Sequence, residues 1–216
     1  DLGLQNLVTA IDTKSGRKMV DPALQPQANQ TKLVCPHPGG ARSWPSTSYD
    51  PATHLLYVPL VESCMQFTWK PRSAAQTAAG GSDIHWVLVP RPHSDGKFGR
   101  LEAINLLTHK VAWIRRQRAP QTSSVLTTAG GLVFDGTRDR RFQASDGQTG
   151  KILWQTRLGA VPSSAPISYS VHGRQYVAVV AGGGGADEAT WPILTPELDN
   201  PPGGTTLWVF ELPQRH

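Results

Sequence analysis

Two cysteines, Cys35 and Cys64, are the first side chains in this 216-residue sequence whose type and placement could do chemistry. Neither belongs to a C-x-x-C pair, so a zinc ribbon is unsupported, and no C-x-x-C-H run is present to attach a c-type haem. Two readings stay open at this point: one disulfide in an oxidising compartment, or two buried thiols. The carboxylates Asp187, Glu188, Glu197 and Asp199 are close in sequence but lack metal-ligand spacing. No Ser-His-Asp arrangement or phosphate-binding glycine loop is supported. Basic residues cluster at Arg115, Arg116 and Arg118 and again at Arg138, Arg140 and Arg141, within a formal net charge of +5. They flank strand-like segments without interleaved aromatics, which argues against nucleic acid. A solvated loop or an acidic protein partner is the expected setting.

The elements that must position these residues read as strands. With 21 Gly, 18 Pro and only 17% charged residues, the chain is rich in turn formers, and its apolar residues come in short runs. That composition predicts an all-β fold with long loops. No run approaches the ~20 apolar residues of a membrane span. The chain opens on Asp1 without a visible signal peptide, so the true N-terminus is expected elsewhere.

A repeat is visible. Leu101 to Trp113 and Phe142 to Trp154 share Ala, then Asn or Asp two residues on, then Thr three further, then Trp ten after the Ala. From Ala103 to Ala144 the offset is 41 residues, the size of one four-stranded propeller blade. A degenerate copy, Ala10 to Val20, keeps Ala10, Asp12 and Gly16, with Val20 where Trp would fall. Asp12 and Asp146 read as turn formers that accept backbone N–H bonds, with Gly at positive φ, and each Trp reads as a wedge between neighbouring sheets. Hairpins are predicted for 44–59, 124–134 and 165–181, and a last strand for 207–212. We expect a single partial propeller domain over 1–216, with blade segments around 1–20, 41–64, 98–118, 122–158, 163–182 and 205–213. Long loops are expected at 21–34, 65–100 and 183–204. Three to three and a half blades are too few for a closed ring, so other chain material is expected to complete it.

Between the cysteines the chain reads Cys35-Pro-His-Pro-Gly39-Gly40-Ala-Arg-Ser43-Trp44-Pro-Ser-Thr-Ser48-Tyr49-Asp50-Pro51, running on through Tyr57-Val58-Pro59 to Cys64. Thr127 to Thr137 and Gly173 to Gly185 follow in the same order. These segments resemble the C-terminal half of the pyrroloquinoline-quinone (PQQ)-dependent alcohol dehydrogenases. The resemblance implies part of an eight-bladed propeller with the quinone near its axis. It also implies that Cys35 and Cys64 form a structural disulfide without redox activity. Trp44 matches the family Trp that walls the quinone. Ser43 stands where the family carries Asn or Asp against the cofactor, and keeps a shorter hydroxyl donor and acceptor. Gly183 and Gly184 fall in the family's glycine-rich cofactor stretch, with Gly183 where the family often carries Trp. Trp191, in the loop that follows, is a candidate to fold back in its stead. The reading asks that Cys35 lie close to Cys64 and that the indole of Trp44 be withdrawn from solvent.

The resemblance implies that the whole protein oxidises an alcohol and passes electrons to a cytochrome c or a membrane quinone, in the periplasm or on the periplasmic face of the inner membrane. In the family an Asp base and the ligands of a calcium or lanthanide ion lie in the N-terminal half. No segment here matches them, so no catalytic residue and no metal ligand is expected in this chain. The alternative is a non-catalytic propeller scaffold. Ser43 and Gly183 favour it, and the loop from Cys35 to Trp44 disfavours it.

Overall fold

The computed structural model describes residues 3–78, 83–183, 190–201 and 204–212. The strands run in chain order as β1 (Val8–Ile11), β2 (Lys18–Val20), β3 (Thr31–Val34), β4 (Ser48–Asp50), β5 (Leu55–Val61), β6 (Ser63–Trp69), β7 (Ile84–Pro90) and β8 (Gly99–Asn105). They continue as β9 (Lys110–Gln117), β10 (Leu126–Thr127), β11 (Leu132–Gly136), β12 (Arg141–Asp146), β13 (Ile152–Arg157), β14 (Ile167–Val171), β15 (Arg174–Ala181) and β16 (Thr206–Glu211). Every pairing between them is antiparallel. The chain divides into two compact units, 1–41 with 62–95 and 42–61 with 96–216.

In the larger unit, β4-β5-β8-β9 form a four-stranded sheet, β10-β11-β12-β13 a second, and β14-β15-β16 a three-stranded third. The all-β partial propeller read from the sequence is the fold observed. The strands β11 and β12 of the middle sheet are buried on both faces because their residues alternate. Phe134 of β11 and Phe142 and Ala144 of β12 pack toward the third sheet, with Val177, Val179 and Ala181 of β15. Val133 of β11 packs the other way, with Leu55, Tyr57, Leu101 and Ala103 of the first sheet. Period-two alternation puts successive side chains on opposite faces, so two thin apolar layers arise from one strand. That second face also carries a buried charge. Arg115 of β9 bonds Asp135 of β11 at 2.5 Å and also reaches Ser145 of β12. Gln121 and Gln143 donate to the other oxygen of Asp135 at 3.2 and 3.1 Å. Asp135 is fully buried, so these donors replace the hydration it loses.

The repeat turns behave alike in all three copies. Asp12 Oδ1 accepts from the N–H groups of Lys14 and Ser15. Asn105 Oδ1 accepts from Leu107, Thr108 and the Thr108 hydroxyl. Asp146 Oδ1 accepts from Gln148, Thr149 and the Thr149 hydroxyl. These bonds, the Thr149 hydroxyl first, hold the Asp146 carboxyl below the usual carboxylate range. Gly16 and Gly150 take positive φ at the last turn position, and His109 does so in the middle copy.

Trp113 of β9 wedges against the neighbouring sheet as expected. Its Nε1 donates to the Gly147 carbonyl at 2.8 Å, an acceptor shared with the Tyr57 hydroxyl at 3.2 Å. A Cβ on Gly150 would lie 2.6 Å from the indole. Trp154, the equivalent on β13, packs edge-on against Phe210 of the third sheet, ring centres 5.1 Å apart.

The smaller unit holds the β1-β2 hairpin and the three-stranded sheet β3-β6-β7. Segments 21–34 and 65–100, expected as loops, therefore carry β3, most of β6 and all of β7. Their strand signal is real: Phe67, Thr68 and Trp69 pair with Trp86, His85 and Ile84. The Pro, Gly and Ser residues around them mask it. A short helix over Ala74–Ala78 follows a reciprocal cap in which Ser73 N–H donates to Gln76 Oε1 and Gln76 N–H to Ser73 Oγ. The hairpin expected over 44–59 is shorter than its pattern, because pairing begins only at Ser48.

The indole–glycine contact generates a test. Trp113→Ala is expected to cost about 3 kcal/mol in urea unfolding. Gly150→Ala is expected to cost about 2 kcal/mol, part from the left-handed backbone and part from collision with the ring. On the Trp113→Ala background the collision disappears and only about 1 kcal/mol should remain. Equal costs in both backgrounds would contradict the contact.

Candidate functional site

In the larger unit the strand directions bring particular connections to one end of the sheets. The first residues of β4, β10 and β14, Ser48, Leu126 and Ile167, pair antiparallel with Tyr57 of β5, Phe134 of β11 and Ala178 of β15. Segments entering β4, β10 and β14 therefore share a rim with the connections that leave β5, β11 and β15. Ser43 and Trp44, the Thr137–Arg140 turn, and Gly182 and Gly183 all lie at this end. Hydrogen bonds tie the rim together. Ser46 N–H donates to Ser124 Oγ at 2.8 Å, Val125 N–H to the Ser46 carbonyl at 3.0 Å, and Thr127 N–H to Ser48 Oγ at 3.0 Å. Gly182 N–H donates to the Val161 carbonyl at 2.8 Å, and Ser163 Oγ to the Gly182 carbonyl at 2.6 Å.

Trp44 is 79% exposed. The expectation that its indole is withdrawn from solvent fails for this chain. Residues 42–47 pair with no strand, so no sheet face is available to bury the ring. Ser43 beside it is half-buried and Arg42 is exposed. Gly183 is exposed at φ 84°. Gly182 is required by packing, since a Cβ there would lie 2.5 Å from the Gly204 carbonyl oxygen. Gly184 lies outside the described residues. Ser43 with Trp44, and Gly183, thus share a rim but stand on the first and third sheets, with the second between them. Trp191 is buried at the start of a 3-10 turn, together with Leu194 and Thr195.

Several arginines of the basic clusters are engaged within the chain, while Arg118 and Arg141 keep 44% and 54% of their side chains exposed. Arg115 is consumed by Asp135. Arg118 forks onto Glu197, Nε to Oε1 at 2.7 Å and Nη2 to Oε2 at 3.0 Å, and donates to the carbonyls of Leu194 and Gly96 at 2.9 and 2.8 Å. Its guanidinium also sits 5.0 Å over the Phe98 ring centre. Arg138 donates to the Leu198 carbonyl at 2.9 Å, and Asn200 donates back to the Arg138 carbonyl at 3.1 Å. Arg141 pairs with Asp139. The contacts of Arg118 and Arg138 to residues 194–200 escaped the sequence reading because those partners are 60 to 79 residues away. Opposite charge on Glu197 was the available signal, and its carboxyl is held below the usual range, chiefly by Arg118.

In the smaller unit Cys35 and Cys64 are joined in a disulfide, with Cα atoms 4.3 Å apart. The segment after Cys35 is pinned at both sides. Cys35 N–H donates to Asn6 Oδ1 at 2.8 Å, His37 N–H donates to the Ser63 carbonyl at 3.1 Å, and the Ser63 hydroxyl and His37 Nδ1 share a hydrogen bond of 3.0 Å. Gly40 N–H closes a turn onto the His37 carbonyl. Among the described residues no group of three His, Cys, Asp or Glu side chains could hold a metal ion.

A family model described as "PQQ: Glucose/ethanol/alcohol dehydrogenase, beta-propeller domain" matches residues 5–177. The chain is 34% identical over 157 residues to a 1-butanol dehydrogenase (cytochrome c) of Thauera butanivorans, covering 69% of this chain and 23% of that protein. It is 31% identical over 213 residues to the quinoprotein alcohol dehydrogenase PedH of Pseudomonas putida, covering 96% and 35%. Among solved structures, a europium-containing methanol dehydrogenase superposes with a TM-score of 0.81 at 25% identity, over 97% of this chain and 40% of that one. The chain thus spans between about a quarter and a third of the length of these two curated relatives.

The disulfide closes a sequence separation of 29 residues, for which chain entropy gives about 3.5 kcal/mol. Replacing both cysteines by Ser should lower urea stability by about that amount. Amide exchange should quicken in β3 and β6 while β11 and β12 keep their protection. Unchanged exchange in β3 and β6 would show that the bridge contributes nothing there.

Proposed function

Since this chain belongs to the PQQ-dependent glucose/ethanol/alcohol dehydrogenase propeller family, we propose that it is a segment of a quinoprotein alcohol dehydrogenase and supplies one wall of the cofactor chamber. What supports the assignment of the wall is the match of the Cys35 to Trp44 segment to the family's chamber motif, within the residues that the family model covers; the 79% exposure of Trp44 counts against it. In this reading a planar quinone takes contacts from the first and third sheets. Trp44 offers a flat apolar face, Ser43 a hydroxyl, Gly183 open backbone, and Arg42 an exposed cation. When bound, the quinone supplies the acceptor for the two electrons of an alcohol.

The chain's own share of the work is positioning. An indole laid against the cofactor excludes water from that face and adds ring contact. Ser43 is placed to donate or accept one hydrogen bond. No residue of this chain takes the substrate proton in this reading. The Asp base and the ligands of the calcium or lanthanide ion belong to the N-terminal propeller half that completes the ring. Electrons then pass to a cytochrome c or a membrane quinone, and a chain carrying a structural disulfide suits the periplasm. In this reading the cofactor and the opposite blades, rather than the segment's own sheet, would have to cover Trp44.

A non-catalytic scaffold is the second reading, favoured by Ser43 in place of Asn or Asp and by Gly183 in place of Trp. One experiment separates the two. The complete protein, reconstituted with PQQ and either calcium or a lanthanide, should catalyse dye-linked alcohol oxidation. Trp44→Ala should weaken quinone binding about tenfold, and Ser43→Ala by less. Absence of activity in the reconstituted wild type favours the scaffold. Activity with quinone affinity untouched by either substitution removes this segment from the chamber.

A further inference from the structure

The segment 190–201 is tied to all three sheets of the larger unit. It leaves the third sheet after β15 and returns at β16, with Gly182 and Gly204 in backbone contact at its base. Arg138, in the turn between β11 and β12, holds it to the second sheet through the Leu198 carbonyl and Asn200. Arg118, one residue beyond β9, holds it to the first sheet through Glu197 and the Leu194 carbonyl. The same guanidinium reaches the Gly96 carbonyl ahead of β8. Its inner side is buried through Trp191, Leu194 and Thr195.

We propose that Arg118 is a positioning residue. With Glu197 and Arg138 it makes this segment a strap across three sheets, and so fixes the rim that carries Ser43, Trp44 and Gly183 for the quinone. The proposal rests on the reading of that rim as a chamber wall. The chemistry of the side chain supports the assignment. A guanidinium has five N–H donors in a rigid plane, and four separate bonds are made here, two to one carboxylate and two to carbonyls on different segments. A lysine ammonium is a point donor and cannot span them. Arg118 and Glu197 side chains are 44% and 49% exposed, so the pair adds little to global stability. What it supplies is geometry. Small displacements of a binding constellation are enough to weaken what it holds.

The test uses the complete enzyme in five forms: wild type, Arg118→Ala, Arg118→Lys, Glu197→Ala and the double alanine variant that closes the cycle. Three quantities are read: the thermal midpoint, the rate of thermolysin cleavage within 190–201, and the dissociation constant of PQQ titrated in the presence of calcium. Arg118→Ala should leave the midpoint within a few degrees. It should speed cleavage and raise the quinone dissociation constant, each by about tenfold. Arg118→Lys should recover little of either, and the double variant should be no worse than Arg118→Ala alone. Unchanged cleavage would overturn the strap. Faster cleavage with unchanged quinone affinity would overturn the positioning role. A wild type that takes up no quinone sinks the chamber reading and the positioning role with it, while the cleavage ratio still decides whether the strap exists.

Discussion

An indole resting on a glycine sets the spacing on which the larger unit depends. Trp113 projects from the outer strand of one sheet and lies on the turn of the next, where Gly150 has no Cβ to hold it off and the Gly147 carbonyl receives its N–H. Tyr57, from the second strand of the same sheet, ends on the same carbonyl. Two side chains from different strands thus converge on one acceptor of the neighbouring sheet. That fixes both the separation of the two sheets and their relative slide. The apolar layers then fill from alternating residues of strands that already have their places.

What the sheets position follows from their direction. Each presents the same end to the rim, so segments far apart in sequence come out side by side there: 42–47, 118–125, 137–140 and 182–183. The buried Arg115–Asp135 pair and the exposed Arg118–Glu197 pair do different work in this arrangement. Removing one partner of the first would leave a charge stranded between sheets. Removing one partner of the second exposes both groups to water that already reaches them. Only the second can be changed without threatening the fold, and it is the one that reaches across the rim.

Much of the local structure was legible in the sequence because the signal was local. Asp12, Asn105 and Asp146 stand at turns that a short polar side chain closes by itself, and the strands on either side alternate as a half-buried sheet must. The pairing of Cys35 with Cys64 came from resemblance rather than spacing, and the structure joins them. The β3-β6-β7 sheet was not legible. Its strands are separated by insertions rich in Pro, Gly and Ser, which read as loop over the whole span. The arginines misled for a related reason. Adjacent positions on a strand point to opposite faces, so Arg115 and Arg116, one residue apart, have different surroundings: the first is paired between sheets and the second reaches the Lys97 carbonyl. Withdrawal of Trp44 from solvent was expected from its match to the family's chamber Trp, but an indole on an unpaired segment has no face of its own sheet to cover it.

The account stands on the claim that this uncovered indole is one wall of the quinone chamber. A crystal structure of the complete protein with PQQ bound measures it directly. The account predicts the ring of Trp44 facing the quinone at a centre-to-centre distance of about 4 to 5 Å, with Ser43 on the same side. A quinone held elsewhere, with Trp44 still open to solvent, would contradict it.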